Sequence, residues 1–263
     1  MQKVLITGAY GLVGNVAYRR LASLPDRYDV YGMVRRRVPS VRLPEADLEP
    51  IPDARLRIAD LTDFSAVQRA VEGMDAVVHL AATPDQTAPW ELVHANNIVG
   101  TYHLFEACRL AGVRRVVFAS TIQVVFGYRS EEPYRSLLEG RFEAVSLADL
   151  RPIRSDQPPR PLNLYAASKV WGEAAAHMYA YTHGLSCLVL RIGWVLADDR
   201  VPQRWGESVF VSRRDIAQII ERCVAAPAGL RFGIFFGLSN NRYNLADITP
   251  AREVLGYAPE DGY

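Results

Sequence analysis

A short apolar strand runs straight into Thr7-Gly8-Ala9-Tyr10-Gly11-Leu12-Val13-Gly14 and then into an amphipathic helical pattern, and this stretch constrains the chain more than any other. Strand, glycine turn and helix in that order bring the free N–H groups of a helix start to the carboxyl end of a strand, where a pyrophosphate is held. Gly8 permits the tight turn, Gly11 lets the backbone approach the phosphates, and Gly14 lets the helix close on the sheet. Gly8, Tyr10, Gly11, Leu12, Val13 and Gly14 are therefore the first candidate cofactor contacts.

The rest of the chain alternates strands and helices. Strands are expected at Lys3–Thr7, Asp29–Val34, Arg55–Ala59, Ala76–Ala81, Arg115–Ser120, Ser186–Ile192 and Phe232–Phe236, with helices at Leu12–Ser23, Asp63–Glu72, Glu91–Ala111, Leu164–His183, Ser212–Ala225 and after Thr249-Pro250. Such alternation predicts one α/β domain, residues 1–263, with a parallel sheet doubly wound by helices and ligands at the carboxyl ends of the strands. Residues 129–161, rich in Arg, Glu, Pro and Ser, break the pattern and read as a lid or surface insertion, centred on 129–155.

A chain of 263 residues that is 49% hydrophobic can bury a full α/β core. With 30 basic against 29 acidic residues it carries no broad footprint for nucleic acid. No apolar run reaches the length of a membrane span. The N-terminus enters a strand at once, leaving no room for a signal peptide. Cys108, Cys187 and Cys223 are scattered and odd in number, so free thiols in a reducing compartment, a cytoplasmic location and no metal site are expected.

Cofactor choice is made at the end of the second strand. A carboxylate there binds the adenosine ribose and repels a 2′-phosphate; this chain offers Val34 and Arg35 instead. Arg35, helped by Arg36, would clamp a 2′-phosphate, which favours NADP over NAD. Asp60, followed by Leu61, comes after the third strand and is placed to bond the adenine or to cap the next helix. Leu80, Ala81 and Ala82 close the fourth strand with side chains that let a flat cofactor lie against the backbone.

Catalytic chemistry is suggested by Tyr165 and Lys169, four residues apart on one helical face. A phenol titrates near 10 and needs a neighbouring cation to act as an acid–base group at neutral pH. Val116-Val117-Phe118-Ala119-Ser120-Thr121 ends a strand in hydroxyls, so Thr121 or Ser120 would hold the reacting oxygen. Asn97, inside a long helix, is placed to bond the backbone or to hold a water near Lys169.

The segments TGAYGLVG, ADLTD, HLAA, NNIVGT, VVFAST, YAASK, LRIG and AREVLGYAP follow one another in the order of the extended short-chain dehydrogenase/reductase family, often called NAD-dependent epimerase/dehydratases, which the chain resembles over nearly its whole length. Within it, NNIVGTYHLFEACR, RVVFAS and LYAASKVWGE are similar to the uronate dehydrogenases. The resemblance implies a Rossmann-type sheet with a small C-terminal substrate lobe from segments 193–211 and 237–263. It also implies a catalytic set of Thr121, Tyr165 and Lys169 supported by Asn97, with Lys169 and Ile192 among the cofactor contacts. The expected activity is oxidation or reduction of a small hydroxyl or carbonyl compound such as a sugar, sugar acid, aldehyde or ketone. The alternatives are epimerisation with bound cofactor and non-catalytic cofactor sensing. Helices Glu91–Ala111 and Leu164–His183 would build a homodimer. Substrate contacts would be Ser120, Gln123, Trp194 and Arg204, with Arg200 a competitor for the last. Trp205 and Phe210 would join Trp194 in making the pocket more apolar than a uronate site.

Overall fold

A computed structural model describes residues 1–263. Seven parallel strands, β1 Gln2–Thr7, β2 Tyr28–Val34, β3 Leu56–Ile58, β4 Ala76–His79, β5 Arg115–Thr121, β6 Ser186–Ile192 and β7 Phe232–Gly237, form one sheet in the order β3-β2-β1-β4-β5-β6-β7. β4 and β5 are buried along their whole length, as strands covered on both faces must be. The chain winds outward from β1 to β3, then returns to β4 on the other side of β1. The strand order therefore reverses beside β1, and a crevice opens at the carboxyl ends there.

Alternation along β1 sends Val4 and Ile6 to one face and Leu5 to the other. The first face is covered by α1 (Leu12–Ala22), α7 (Arg213–Ala225) and α8 (Thr249–Leu255), through Val16, Leu21, Ile216, Ile219 and Leu255. The second is covered by α2 (Phe64–Val71), α4 (Gly100–Leu110) and α6 (Leu164–His183), through Val67, Leu104, Phe105 and Tyr179. The helix expected at Glu91–Ala111 is composite: α3 (Trp90–Val93) passes through a π-helical stretch, His94–Val99, into α4. α8 begins at Thr249 itself, and the Asp247 carboxylate accepts the Thr249 N–H at 2.9 Å.

A third core fills the C-terminal lobe. Ile122, Val125, Phe236 and Leu245 pack there with Leu137, Phe142, Val145 and Ile153. The last four come from 129–155, so this segment, with its short helix α5 (Tyr134–Leu138), is structural packing. None of its residues lines the crevice, contrary to the lid expected from composition. Its arginines misled: Arg135 bonds the carbonyls of Arg129 and Ser130, and Arg141 pairs with Glu139 at the surface, leaving the apolar residues between them free to bury.

Candidate active site

A cavity of about 890 Å³ runs along the carboxyl edge of the sheet, from the glycine turn after β1 to the end of β6. At the turn, Gly8 has φ +68°, and a Cβ on it would lie 3.0 Å from the Ala81 backbone. Gly14 is tighter still: a Cβ there would sit 2.1 Å from the Gly8 carbonyl oxygen. α1 starts at Leu12 with Gly11 as N-cap, no side chain on its free N–H groups and no acid in its first turn. Gly11, Leu12 and Val13 line the cavity, so the positive end of the helix faces it. This cradle fits the pyrophosphate of a dinucleotide.

The turn is locked from below. The Gly8 and Ala9 N–H groups donate to Met33 O at 2.9 and 3.3 Å, while Thr7 Oγ1 accepts the N–H groups of Leu80 and Ala81, each at 3.1 Å. With two donors on its oxygen, Thr7 gives its own proton to His79 Nδ1 at 2.9 Å. The His79 Nε2–H is then left for Thr101 Oγ1 at 3.3 Å. Burial, reinforced by the Lys169 charge, pushes the His79 pKa down to about 3, so the imidazole is neutral, as this network requires.

Arg35, Asp60 and Leu61 line the far end of the cavity beyond β2 and β3. Burial opposes the Asp60 charge, but the Thr62 N–H and hydroxyl at 2.9 and 2.8 Å, with Arg35 nearby, hold its carboxyl below the usual range. Leu80, Ala81, Ala82 and Ile192 line the middle.

At the other end, Thr121 closes β5, and Tyr165 and Lys169 lie one turn apart in α6. Asn163 starts this helix by accepting the Ala166 N–H at 2.8 Å, and its amide donates to Gln123 Oε1 at 2.9 Å. Burial pushes the Tyr165 phenol up, while a hydrogen bond with Thr121 and the Arg42 charge pull it back. Lys169 is 3% exposed, makes no ion pair, and has its Nζ 5.0 Å from the Phe118 ring centre and 5.9 Å from that of Tyr165. Burial brings its pKa down from 10.5 to about 7.

That shift predicts a pH signature. Above the unfolded pKa the lysine is neutral in both states and has no effect. Between 10.5 and about 7 the unfolded chain binds the proton and the folded one does not, so stability falls as pH is lowered and then levels off. Lys169→Met should therefore stabilise the ligand-free protein by about 2–5 kcal/mol near pH 6, with the gain fading toward pH 10. Urea unfolding across that range measures it; a gain independent of pH contradicts the burial.

Ser120 and Thr121 divide. The Ser120 hydroxyl donates to Glu173 Oε1 at 2.6 Å, within a buried pair in which Arg191 donates to the two Glu173 oxygens at 2.9 and 2.8 Å. Thr121 is the hydroxyl that meets Tyr165. Gln123, Phe126, Trp194, Trp205 and Val209 complete this end, the two indoles stacked at 4.8 Å and 7°.

Six residues expected at the site do not line the cavity. Tyr10 packs against the core beside α1, and Arg36 points outward. Arg204 lies on the outside of the lobe, paired with Glu143 at 3.3 Å and seated over Phe142, and Arg200 does not line the cavity either. Asn97 is buried and acts one layer out: it accepts the Thr83 N–H at 2.8 Å, and its amide donates to Thr83 O at 3.1 Å and Ser168 Oγ at 3.0 Å. Phe210, expected to line the pocket, packs edge-on against Tyr263 instead. Conversely, Ser40, Val41, Arg42, Thr83, Asp85, Gln86 and Asn96 line the cavity without having been anticipated. Thr83-Pro84 directly after the small residues of β4 was a usable signal; nothing local marked Arg42.

The model of the NAD dependent epimerase/dehydratase family matches residues 4–226. Over 99% of the chain, 34% of residues are identical to an NAD-dependent glucose-6-phosphate dehydrogenase of Haloferax volcanii, 94% of which is covered. An L-arabinose 1-dehydrogenase (NAD(P)(+)) of the same organism is 35% identical, with 99% and 97% covered. Among solved structures, a mutant uronate dehydrogenase from Agrobacterium tumefaciens complexed with NAD superposes with TM-score 0.79 at 27% identity, over 99% of this chain and 85% of that one.

Proposed function

The chain belongs to the NAD dependent epimerase/dehydratase family, and from that premise we propose that it is a nicotinamide-dependent oxidoreductase acting on a hydroxyl or carbonyl group of a small sugar or sugar acid. The observation that carries the reading is the convergence of Thr121, Tyr165 and Lys169 in the same cavity as the glycine turn. Relatives named as glucose-6-phosphate and L-arabinose dehydrogenases support the substrate class.

The nicotinamide supplies or accepts the hydride when bound. The chain does the rest. Tyr165 exchanges a proton with the reacting oxygen at its phenol oxygen, and Thr121 Oγ1 holds that oxygen. Lys169, one turn on, favours the phenolate by its charge and would hold the cofactor ribose through a hydrogen bond that favours its own protonated form. The Trp194–Trp205 stack excludes water from the apolar side of the sugar.

For the cofactor, Arg35 beside Asp60, with no carboxylate at the end of β2, supports NADP over NAD. NADPH should bind more tightly than NADH, and Arg35→Ala should lose about ten- to a hundredfold in NADPH affinity while sparing NADH. Cofactor fluorescence titration reads both; equal affinities in the parent protein remove the clamp.

The same reading extends to assembly and location. Leu164, Trp171 and Met178, spaced by seven on α6, are exposed together with Tyr181, and Tyr102 and Leu110 are exposed on α4. This apolar stripe suits a homodimer, and light scattering that returns a monomer at micromolar concentration contradicts it. Three buried free cysteines suit a reducing, cytoplasmic compartment; no helix is long and apolar enough to cross a membrane.

A further inference from the structure

We propose that Arg42 is the residue that selects substrates bearing a terminal anion, a phosphate ester or a carboxylate, from across the cleft. The inference rests on the oxidoreductase reading of this cavity and names what the substrate carries at the end remote from the reacting carbon.

The cavity is lined by three cations, Arg35, Arg42 and Lys169, and by two carboxylates, Asp60 and Asp85. Arg35 lies at the far end beside Asp60, and Lys169 lies beneath Tyr165. Arg42 remains, and no carboxylate of the chain pairs with it: its backbone N–H is held by Ser40 Oγ at 3.2 Å, and its guanidinium takes part in no ion pair. Asp85 feels its charge, but the Asp85 carboxylate is held by the Thr87 N–H and hydroxyl at 2.8 and 2.7 Å. Arg42 and Tyr165 line the same cavity, and the Arg42 charge helps pull the Tyr165 phenol back down.

The turn that presents Arg42 is built. Ser40 N donates to Tyr10 O at 2.9 Å, Leu43 N closes back on Ser40 O at 2.9 Å, and the Leu43 side chain is buried. Farther along, Asn15, inside α1, clamps both backbone groups of Glu49, and Arg213 of α7 pairs with Asp47 at 2.6 Å. The segment after β2 is thus fastened to the glycine turn, α1 and α7, which limits the ordering needed to place one long side chain. Gln123, Phe126, Trp194, Trp205 and Val209, which line the same cavity, carry no charge, and Arg204 is outside the lining, paired with Glu143. A sugar with its ring against the indoles therefore finds a single cation for a terminal anion, and a guanidinium suits both phosphate and carboxylate.

The test uses three ligands with one ring and different groups at C6: glucose 6-phosphate, glucuronate and glucose. Steady-state kinetics with saturating cofactor give the kcat/KM ratio of each anionic sugar to glucose. Intrinsic tryptophan fluorescence from the Trp194–Trp205 stack gives the binding ratio without turnover. We expect ratios of about ten to a hundred for at least one anion, collapse toward one in Arg42→Ala, and partial recovery in Arg42→Lys; which anion gains identifies phosphate or carboxylate. Ratios near one in the parent protein, absence of binding by all three sugars, or equal losses for charged and neutral sugars in Arg42→Ala overturn the assignment. A fall in cofactor affinity matching the fall in kcat/KM overturns it too, making Arg42 a cofactor residue. Selective binding without turnover would sink the oxidoreductase reading and leave the anion site standing.

Discussion

Tyr165→Phe should lower turnover by about a hundred- to ten-thousandfold while the affinity for the reduced cofactor stays close to that of the parent protein. The substitution removes one oxygen from a side chain that is only 9% exposed and leaves its ring in place, so packing around α6 is retained. What is lost is the only phenol in the cavity, the group that meets Thr121 and lies over Lys169. Stopped-flow or steady-state measurement of hydride transfer, run beside cofactor fluorescence titration, separates the two effects. Nearly full turnover in the variant would mean that another group carries the proton.

Glu173→Ala should cost about 3–5 kcal/mol of stability, because it strands a guanidinium that has no water to turn to. Arg191 is 1% exposed, Glu173 is 5% exposed, and apart from a carbonyl contact to Ser155 at 3.4 Å the carboxylate accepts all the hydrogen bonds that arginine makes, with only the Phe236 ring beside it at 5.4 Å. Replacing both residues with apolar ones of similar size should recover most of the loss, since the penalty belongs to the unpaired charge rather than to the missing attraction. Urea unfolding of the single and double variants measures the difference. A single variant as stable as its parent would show that solvent reaches this pair. Ser120 donates to the same carboxylate, so the pair also fixes the strand end that delivers Thr121.

Much of this molecule was readable from short-range pattern. All seven strands were located to within one or two residues, because a parallel strand buried on both faces must be a short apolar run between turn signals. The glycine turn was readable because Gly8 and Gly14 are required by backbone geometry alone. Thr121, Tyr165 and Lys169 could be singled out, with Ser120 still a rival to Thr121, by the strand-end hydroxyls and the four-residue spacing, and the structure brings the three to one cavity because their elements end or begin at the same edge of the sheet.

What escaped depends on tertiary contacts. Of the two roles read for Asn97, the structure shows the backbone one, to Thr83, while its bond to Ser168 and the π-helical stretch that carries it had no signal in the sequence. Arg204 was assigned to the pocket by resemblance, but its guanidinium pairs with Glu143 over the Phe142 ring at the surface, partners that sequence pattern does not reveal. The 129–155 segment looked solvated because Arg, Glu, Pro and Ser interrupt its apolar residues and leave no helical or strand period, although a few well-placed apolar side chains are enough to bury it. Arg42 lay in a loop whose shape is set by Tyr10, Asn15 and Arg213, residues far from it along the chain.

The most direct test of an oxidoreductase is a balance sheet of hydride. Purified protein is mixed with NAD or NADP and a panel of free aldoses, aldose phosphates and uronates, and the reduced nicotinamide is followed by absorbance while the sugars are separated and quantified. Reduced cofactor accumulating one for one with sugar oxidised is the expected result. A sugar converted to its epimer with no net change in the cofactor would contradict it and make the Tyr165 site that of an isomerase.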